Sequence, residues 1–250
     1  MVQKETERHY FDNAYESNVR KSVVKFASIV KKSEESYKKL LEKYCYQKKV
    51  LVYGCGKGEY AFFLSRRGAD VMGIDISDVA VEISKARARE EKLENIAFKT
   101  MDAESTQFED NSFEVVCGRA ILHHLHLSTA LKEVDRVLEP EGRAIFVEPM
   151  GCNPAINLYR KLTPSLRTES EKPLTIKDLK LIKGFFCKAS FSFFHLTTLF
   201  AIPFRNLRMF PALLRAFDTL DEILFSLLPV TRYLAWRVII VLEKPHKDIS

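Results

Sequence analysis

Hydrophobic and polar positions change rhythm twice along this chain. Up to residue 48, apolar residues recur at mixed three- and four-residue spacing in "NVRKSVVKFASIVKK" and "SEESYKKLLEKYC", which predicts helices. After that, short apolar runs alternate with helical periodicity. "KVLVYG" reads as a buried strand and "EYAFFLSRRG" as a helix closed by Gly68. "ADVMGIDIS" is a second strand, and "SDVAVEISKARAREEKL" a helix capped by Ser77 or Asp78. "NIAFKTMD" is a third strand, and "DNSFEVVCGRA" holds a fourth, opened by the turn signal Asp110-Asn111. "LSTALKEVDRVL" is a helix, and "EPEGRAIFVEP" a turn and fifth strand. Strands that alternate with helices pair in parallel through right-handed crossovers, so the expected class is an α/β, doubly wound sheet.

Beyond Met150 the pattern loosens. "GCNPAINLYRKLTPSLRTESEKPLT" is rich in turn formers and predicts a long loop or short helices, and "LTIKDLKLIKGFF" resumes helical spacing. "ASFSFFHLTTLF" and "WRVIIVLEKP" read as strands, and between them "RMFPALLRAFDTLDEILFSLLP" is an apolar helical insertion. The longest uncharged apolar run, residues 191–204, is too short to span a bilayer and contains His195 and Pro203.

At 250 residues, 46% hydrophobic and 29% charged, the chain has an ordinary globular composition and length enough for a sizeable core. Its net charge of +6 permits an anionic partner. However, pairs such as Lys31-Lys32, Lys38-Lys39 and Lys48-Lys49 sit in no aromatic-rich nucleic-acid motif and read as solvated faces. The five cysteines are widely spread and lack metal-ligand spacing, as expected of reduced thiols in a cytoplasmic protein. The charged N-terminus lacks a signal-peptide core. A soluble protein, peripheral at most, is the expectation.

The candidate chemistry starts at "VLVYGCGKGEY", residues 50–60. In a doubly wound sheet, ligands sit beyond the carboxyl ends of the strands, where glycines let the backbone approach and a helix N-terminus favours negative charge. Lys57 is followed by Gly58, so the P-loop pattern fails. Glu59 stands where a dinucleotide fingerprint needs its third glycine. Gly54, Gly56 and Gly58 instead suit a nucleoside with a short zwitterionic tail. Asp75 ends the second strand, where a carboxylate can accept ribose hydroxyls, and Asp102 ends the third, where it can accept from an adenine amine. Two aspartates at consecutive strand ends point to an adenosyl ligand.

These stretches, with "MDAE", "FEVVCGRAILHHL" and "LKEVDRVLEPEGRAIFVEP", resemble the successive motifs of class I S-adenosylmethionine-dependent methyltransferases, in order, over roughly residues 48–149. The nearest branch is the ubiquinone/menaquinone-biosynthesis type with its small-molecule relatives. The resemblance implies a Rossmann-like, seven-stranded mixed sheet with N-terminal helices, a helical C-terminal insertion and an antiparallel last strand. It implies S-adenosylmethionine as cofactor, with Gly54, Cys55, Gly56 and Gly58 along its methionine part. Asp75 with Ile76 is implied at the ribose, Asp102 with Ala103 around the adenine, and Arg119 near the sulfonium. "HYFDNAYES" resembles a cofactor-covering segment, which brings in Tyr10 and Phe11. Tyr53 stands immediately before the first glycine, where the family usually has an acid that orients the loop or reaches the cofactor's amino group.

Methyl transfer is an in-line displacement, so positioning and exclusion of water carry most of it, and a nearby base is useful but not obligatory. The candidates are His123 and His124 after the fourth strand and Glu148 at the end of the fifth. Each also has a bland role, as pocket lining or loop anchor. The fourth strand is followed by "GRAI" and not by the base-methylating Asp/Asn-Pro-Pro-Tyr, and no acidic cluster there suggests a metal site. The expected acceptor is a small molecule, with no nucleic acid and no metal. Ten phenylalanines from Phe185 to Phe225 and Trp236, interleaved with Arg205, Arg208, Arg215, Arg232 and Arg237, are mostly core. They also fit an apolar pocket for a prenyl, quinone-like or lipid acceptor, with arginines at a membrane surface. The expected organisation is one domain over 1–250: a helical cover (1–48), a cofactor-binding core (49–149), and an acceptor pocket or lid with the last two strands (150–250). The rivals are a nucleic-acid or protein methylase, and a non-catalytic module that keeps the fold.

Overall fold

The computed structural model describes residues 2–17, 28–163 and 171–245. Seven strands form one sheet in the order β3-β2-β1-β4-β5-β7-β6. They are β1 (Lys49–Tyr53), β2 (Asp70–Asp75), β3 (Ile96–Thr100), β4 (Phe113–Arg119), β5 (Leu138–Pro149), β6 (Phe186–Phe194) and β7 (Arg237–Pro245). β1 to β5 pair in parallel, and β7 runs antiparallel to both β5 and β6. The expected seven-stranded mixed sheet, with its antiparallel last strand, is what the chain forms. Its strand order reverses between β1 and β4, which opens the ligand crevice at the carboxyl ends of those strands.

The helices are α1 (Val2–Ser17), α2 (Lys31–Cys45), α3 (Glu59–Ser65), α4 (Asp78–Glu90), α5 (Leu127–Val137), α6 (Pro154–Leu162), α7 (Ile176–Phe185) and α8 (Phe210–Leu227). Most of the helix expected over 18–32 lies outside the described residues. Ser77 caps α4, its hydroxyl accepting from the Ala80 N–H at 3.1 Å. Asn111 takes the left-handed turn conformation expected of it.

Two departures from the sequence expectation have local causes. The turn expected at "EPEG" is absorbed into β5 as an irregularity, the register jumping from Phe113–Leu138 to Val115–Arg143. The strand expected over 189–200 stops at Phe194. His195 has φ +67°, which ends the extended run, and Thr198–Phe204 coil into a 3-10 segment.

Helices cover both faces. On α2, Ser33, Tyr37, Leu41 and Cys45 recur every four residues, so one stripe is buried against the sheet together with α3 and α4. Tyr37 donates to the Gly118 carbonyl at 3.0 Å, which satisfies the only polar atom of a fully buried ring. On the other face α5 and α7 pack Leu131, Val134, Leu179 and Ile182 against Leu51, Val116 and Phe146. Each such side chain contributes about 1.5–3 kcal/mol by leaving water. A third, smaller cluster joins Ile29, Val30 and Ile156 to Leu199, Ala201 and the inner face of α8.

Candidate functional site

The loop after β1 is shaped by its glycines. Gly54 and Gly56 have φ of +59° and +52°. A Cβ would lie 2.7 Å from Ile121 Cδ1 at Gly54, and 2.7 Å from the Tyr15 hydroxyl at Gly56, so conformation and space both require glycine. The Cys55 N–H donates to the Ile74 carbonyl at 2.9 Å, tying the loop to β2. Asp75, buried at the end of β2, accepts from the Gly56 N–H at 2.8 Å and the Ser77 N–H at 3.0 Å. Burial pushes its pKa up, opposed by these N–H bonds. The carboxylate keeps lone-pair capacity toward the cavity it lines.

That cavity, about 310 Å³, gathers most of the expected site. Gly54, Cys55, Gly56, Asp75, Ile76, Asp102, Ala103, Arg119, His124 and Phe11 all line it. Asp102 accepts from the Glu104 N–H at 2.9 Å and pairs with Lys4 of α1, which also reaches Glu104 at 2.8 Å.

Five expected residues stand elsewhere. Tyr53 is fully buried in the core beside Phe146, because strand alternation turns its ring away from the cavity. Gly58 has φ +79° and precedes α3, where a Cβ would strike Phe62 at 2.7 Å; it serves the turn and does not line the cavity. Tyr10 packs edge-on against Phe11 and stays behind it. His123 and Glu148 lie beneath the cavity wall.

Their geometry is specific. Glu148 is buried, and its Oε1 accepts from the N–H groups of Ile121 at 2.8 Å and Leu122 at 2.9 Å. Its Oε2 lies 2.7 Å from His123 Nδ1, which assigns the His123 proton to that nitrogen. Glu148 thus anchors the Leu122–His124 turn instead of facing the rim. His124 stacks on His123 at 4.1 Å between centroids and meets Phe11 edge-on at 5.4 Å.

His124 also walls a second cavity of about 730 Å³, which shares Glu7, His124 and Leu125 with the first. Leu122, Leu127, Leu174 and Leu181 give it apolar walls, and Lys4, Glu104, Lys172 and Asp178 add charge. None of the aromatics expected to build an acceptor pocket lines either cavity; the C-terminal region contributes Lys172–Leu181 instead. Among the described residues, His123, His124 and Glu171 are the grouping that could hold a metal ion, their donor atoms all within 4.8 Å of one another.

Sequence reasoning missed Glu7 and Tyr15. With Phe11 they recur every four residues and so share one face of α1, the signal that could have found them. It also missed Glu34 on α2, which accepts from Arg119 Nε at 3.1 Å and Nη2 at 3.0 Å, and from Arg237 and the Tyr60 hydroxyl. Burial alone raises the Glu34 pKa; the two guanidiniums outweigh it and bring it to about 2. Arg237 is therefore an internal ion-pair partner, not a surface cation.

The chain is similar to known proteins in sequence and in fold. Residues 51–146 match the family model described as a methyltransferase domain. Demethylmenaquinone methyltransferase of Lactococcus lactis is 36% identical over 111 residues, 43% of this chain and 43% of that protein. Ubiquinone biosynthesis O-methyltransferase of Acinetobacter baumannii is 30% identical over 113 residues, 45% of this chain and 48% of that protein. The chain thus spans under half the length of these relatives. In fold it is similar to geranyl diphosphate C-methyltransferase of Streptomyces coelicolor, at a TM-score of 0.63 and 15% identity over 98% of both chains.

Proposed function

We propose that this protein, whose residues 51–146 match the model of a methyltransferase domain, uses S-adenosylmethionine to methylate a small, apolar acceptor of prenyl, quinone-like or lipid type. The observation that carries the reading is the wall shared by the two cavities. One cavity has the glycine loop and the Asp75 and Asp102 carboxylates that suit an adenosyl ligand; the other has leucine walls; His124 stands between them. Leucine walls with a few charged groups suit an apolar molecule bearing a polar end. The names of the quinone-pathway relatives support the same class. Contact with a membrane through the C-terminal third belongs to this reading.

S-adenosylmethionine, when bound, supplies an electrophilic methyl group on its sulfonium. The chain supplies position and dryness. Asp75 receives the ribose hydroxyls while its N–H bonds hold the loop, and Asp102 with Ala103 borders the adenine. Arg119 is fixed by Glu34. Phe11 and Tyr15 of α1 close the cavity against water. Glu148, through three hydrogen bonds, fixes the turn that presents His124. There the imidazole takes the proton of a hydroxyl or activated carbon; a nitrogen acceptor loses its own proton afterwards.

Calorimetric titration with S-adenosylmethionine and S-adenosylhomocysteine tests the cofactor site. The wild type binds, and Asp75→Ala loses about 1–3 kcal/mol, roughly five- to 150-fold in affinity. A folded protein that binds neither compound ends the enzyme reading. His124→Gln then separates chemistry from binding. Its kcat is expected to fall about a hundredfold or more with cofactor affinity unchanged, if the imidazole moves the proton.

A further inference from the structure

Helix α8 is apolar on the side that faces away from the protein. Its inner face sends Phe210, Leu213, Leu214 and Phe217 into the small cluster with Leu199 and Trp236. Around the helix, Ala212, Ala216, Leu220, Ile223 and Leu227 follow one another at spacings of four, four, three and four, forming a second stripe. All five are exposed, Leu227 at 74%. The 3-10 segments packed against α8 extend the surface, with Phe200 64% exposed on one side and Val230 70% exposed on the other. Large apolar side chains exposed in this number on neighbouring elements mark an interaction surface.

The charges around the stripe select the partner. Arg208, Arg215 and Arg232 are exposed, and none makes an ion pair among the described residues. Of the acids in the same segment, Asp221 is turned into the protein, Asp218 is half-buried, and Glu222 is exposed but paired. Asp221 is buried, accepting from the N–H groups of Leu196 at 3.0 Å and Thr197 at 2.6 Å. Glu222 pairs with Lys32 of α2 at 2.8 Å, and the same lysine reaches the Asp218 carbonyl. The outward face is therefore apolar and basic. A second copy of the chain meeting it would bring the three arginines of each copy to one interface, with only Asp218 and the already paired Glu222 on each α8 to meet them. An anionic lipid surface neutralises them and takes up the leucines. No helix among the described residues is long and apolar enough to cross a membrane, and Arg215, Asp218, Asp221 and Glu222 interrupt α8. It lies on the surface.

We propose that the outer stripe of α8, with Phe200 and Val230, docks this protein onto anionic bilayers with Arg208, Arg215 and Arg232 against the headgroups. This rests on the membrane contact included in the functional reading, and it separates that contact from the acceptor cavity.

Vesicle flotation of the full chain tests it, with phosphatidylcholine alone and with phosphatidylcholine–phosphatidylserine vesicles. The wild type is expected to float with the serine-lipid vesicles, about tenfold more than with neutral ones, and to be released by high salt. Ile223→Glu with Leu227→Glu abolishes flotation, and Arg208→Gln with Arg215→Gln and Arg232→Gln reduces it about tenfold or more. Far-ultraviolet circular dichroism confirms that the variants fold. A wild type that floats with neither vesicle overturns the contact itself, and variants that float like the wild type overturn the assignment to α8. Light scattering that shows a dimer dissociated by the glutamate pair, without lipid, assigns the stripe to a second copy instead. Cofactor binding is indifferent to every one of these outcomes, so the two readings fail separately.

Discussion

The carboxyl edge of the parallel strands and the outer side of the β6–α8 region treat water in opposite ways. At the first, Asp75, Glu148 and Glu34 are buried or nearly so, and backbone N–H groups, a histidine and two arginines satisfy them. At the second, leucines and phenylalanines stand in solvent, and Arg208, Arg215 and Arg232 make no ion pair among the described residues. A buried carboxylate without partners is costly, so each one that persists fixes the backbone around it. An exposed leucine fixes nothing. One region is preorganised; the other leaves apolar side chains in water.

The contrast can be broken most forcefully at Glu34. Glu34→Ala leaves Arg237 buried beside Arg119 without its acid, and is expected to cost about 3–5 kcal/mol, read as the urea unfolding midpoint. Glu148→Ala strands two N–H groups and His123; a loss of about 2–3 kcal/mol is expected, with a fall in kcat because the His124 turn is freed. Should Glu148→Ala lower stability but leave kcat intact, the turn does not position His124. Gly54→Ala forces φ +59° on a side chain that meets Ile121, for about 1–2 kcal/mol in the same assay.

Acid sharpens the same comparison. His195 is buried and donates to or accepts from Ser33 at 2.8 Å. Burial, then Arg237 and Lys32, lower its pKa to about 3. Its folded value is depressed, so its contribution is complete above its ordinary pKa of 6.5 and drains away as pH falls toward about 3. Glu34, also depressed, contributes fully above 4.5 and loses this as pH falls toward about 2. Unfolding midpoints should therefore decline on acidification in two stages. His195→Asn is expected to flatten the upper stage; an unchanged profile would show that His195 is protonated in the fold. The smallest effect belongs to the other region: Leu227→Ser should shift stability by less than about 0.5 kcal/mol, since water already surrounds that side chain.

Local chemistry wrote much of this molecule legibly. Alternating strand and helix periods, the Ser77 cap, the Asn111 turn and the glycines of the first loop are short-range signals, and each works within a few residues of itself. They suffice for the α/β class and for the Asp75 and Asp102 strand ends that line the cavity, while the seven-stranded mixed sheet followed from the family resemblance. Alternation even held the correction for Tyr53, which shares a face with Leu51 in the core.

What only the tertiary structure decided are the pairings between distant segments. Glu148 reads as a rim carboxylate until the N–H groups of Ile121 and Leu122 and the His123 ring are seen folded against it, 25 to 27 positions away in the chain. Glu34 is one acid among many on a charged helix until α2 docks and brings it to Arg119, 85 positions on, and to Arg237, 203 positions on. The aromatic third is likewise ambiguous. Apolar residues crowd both faces of α8, and periodicity cannot say which face meets the protein and which meets water. That choice belongs to packing, because the free energy of burying a side chain depends on neighbours that the local sequence does not name.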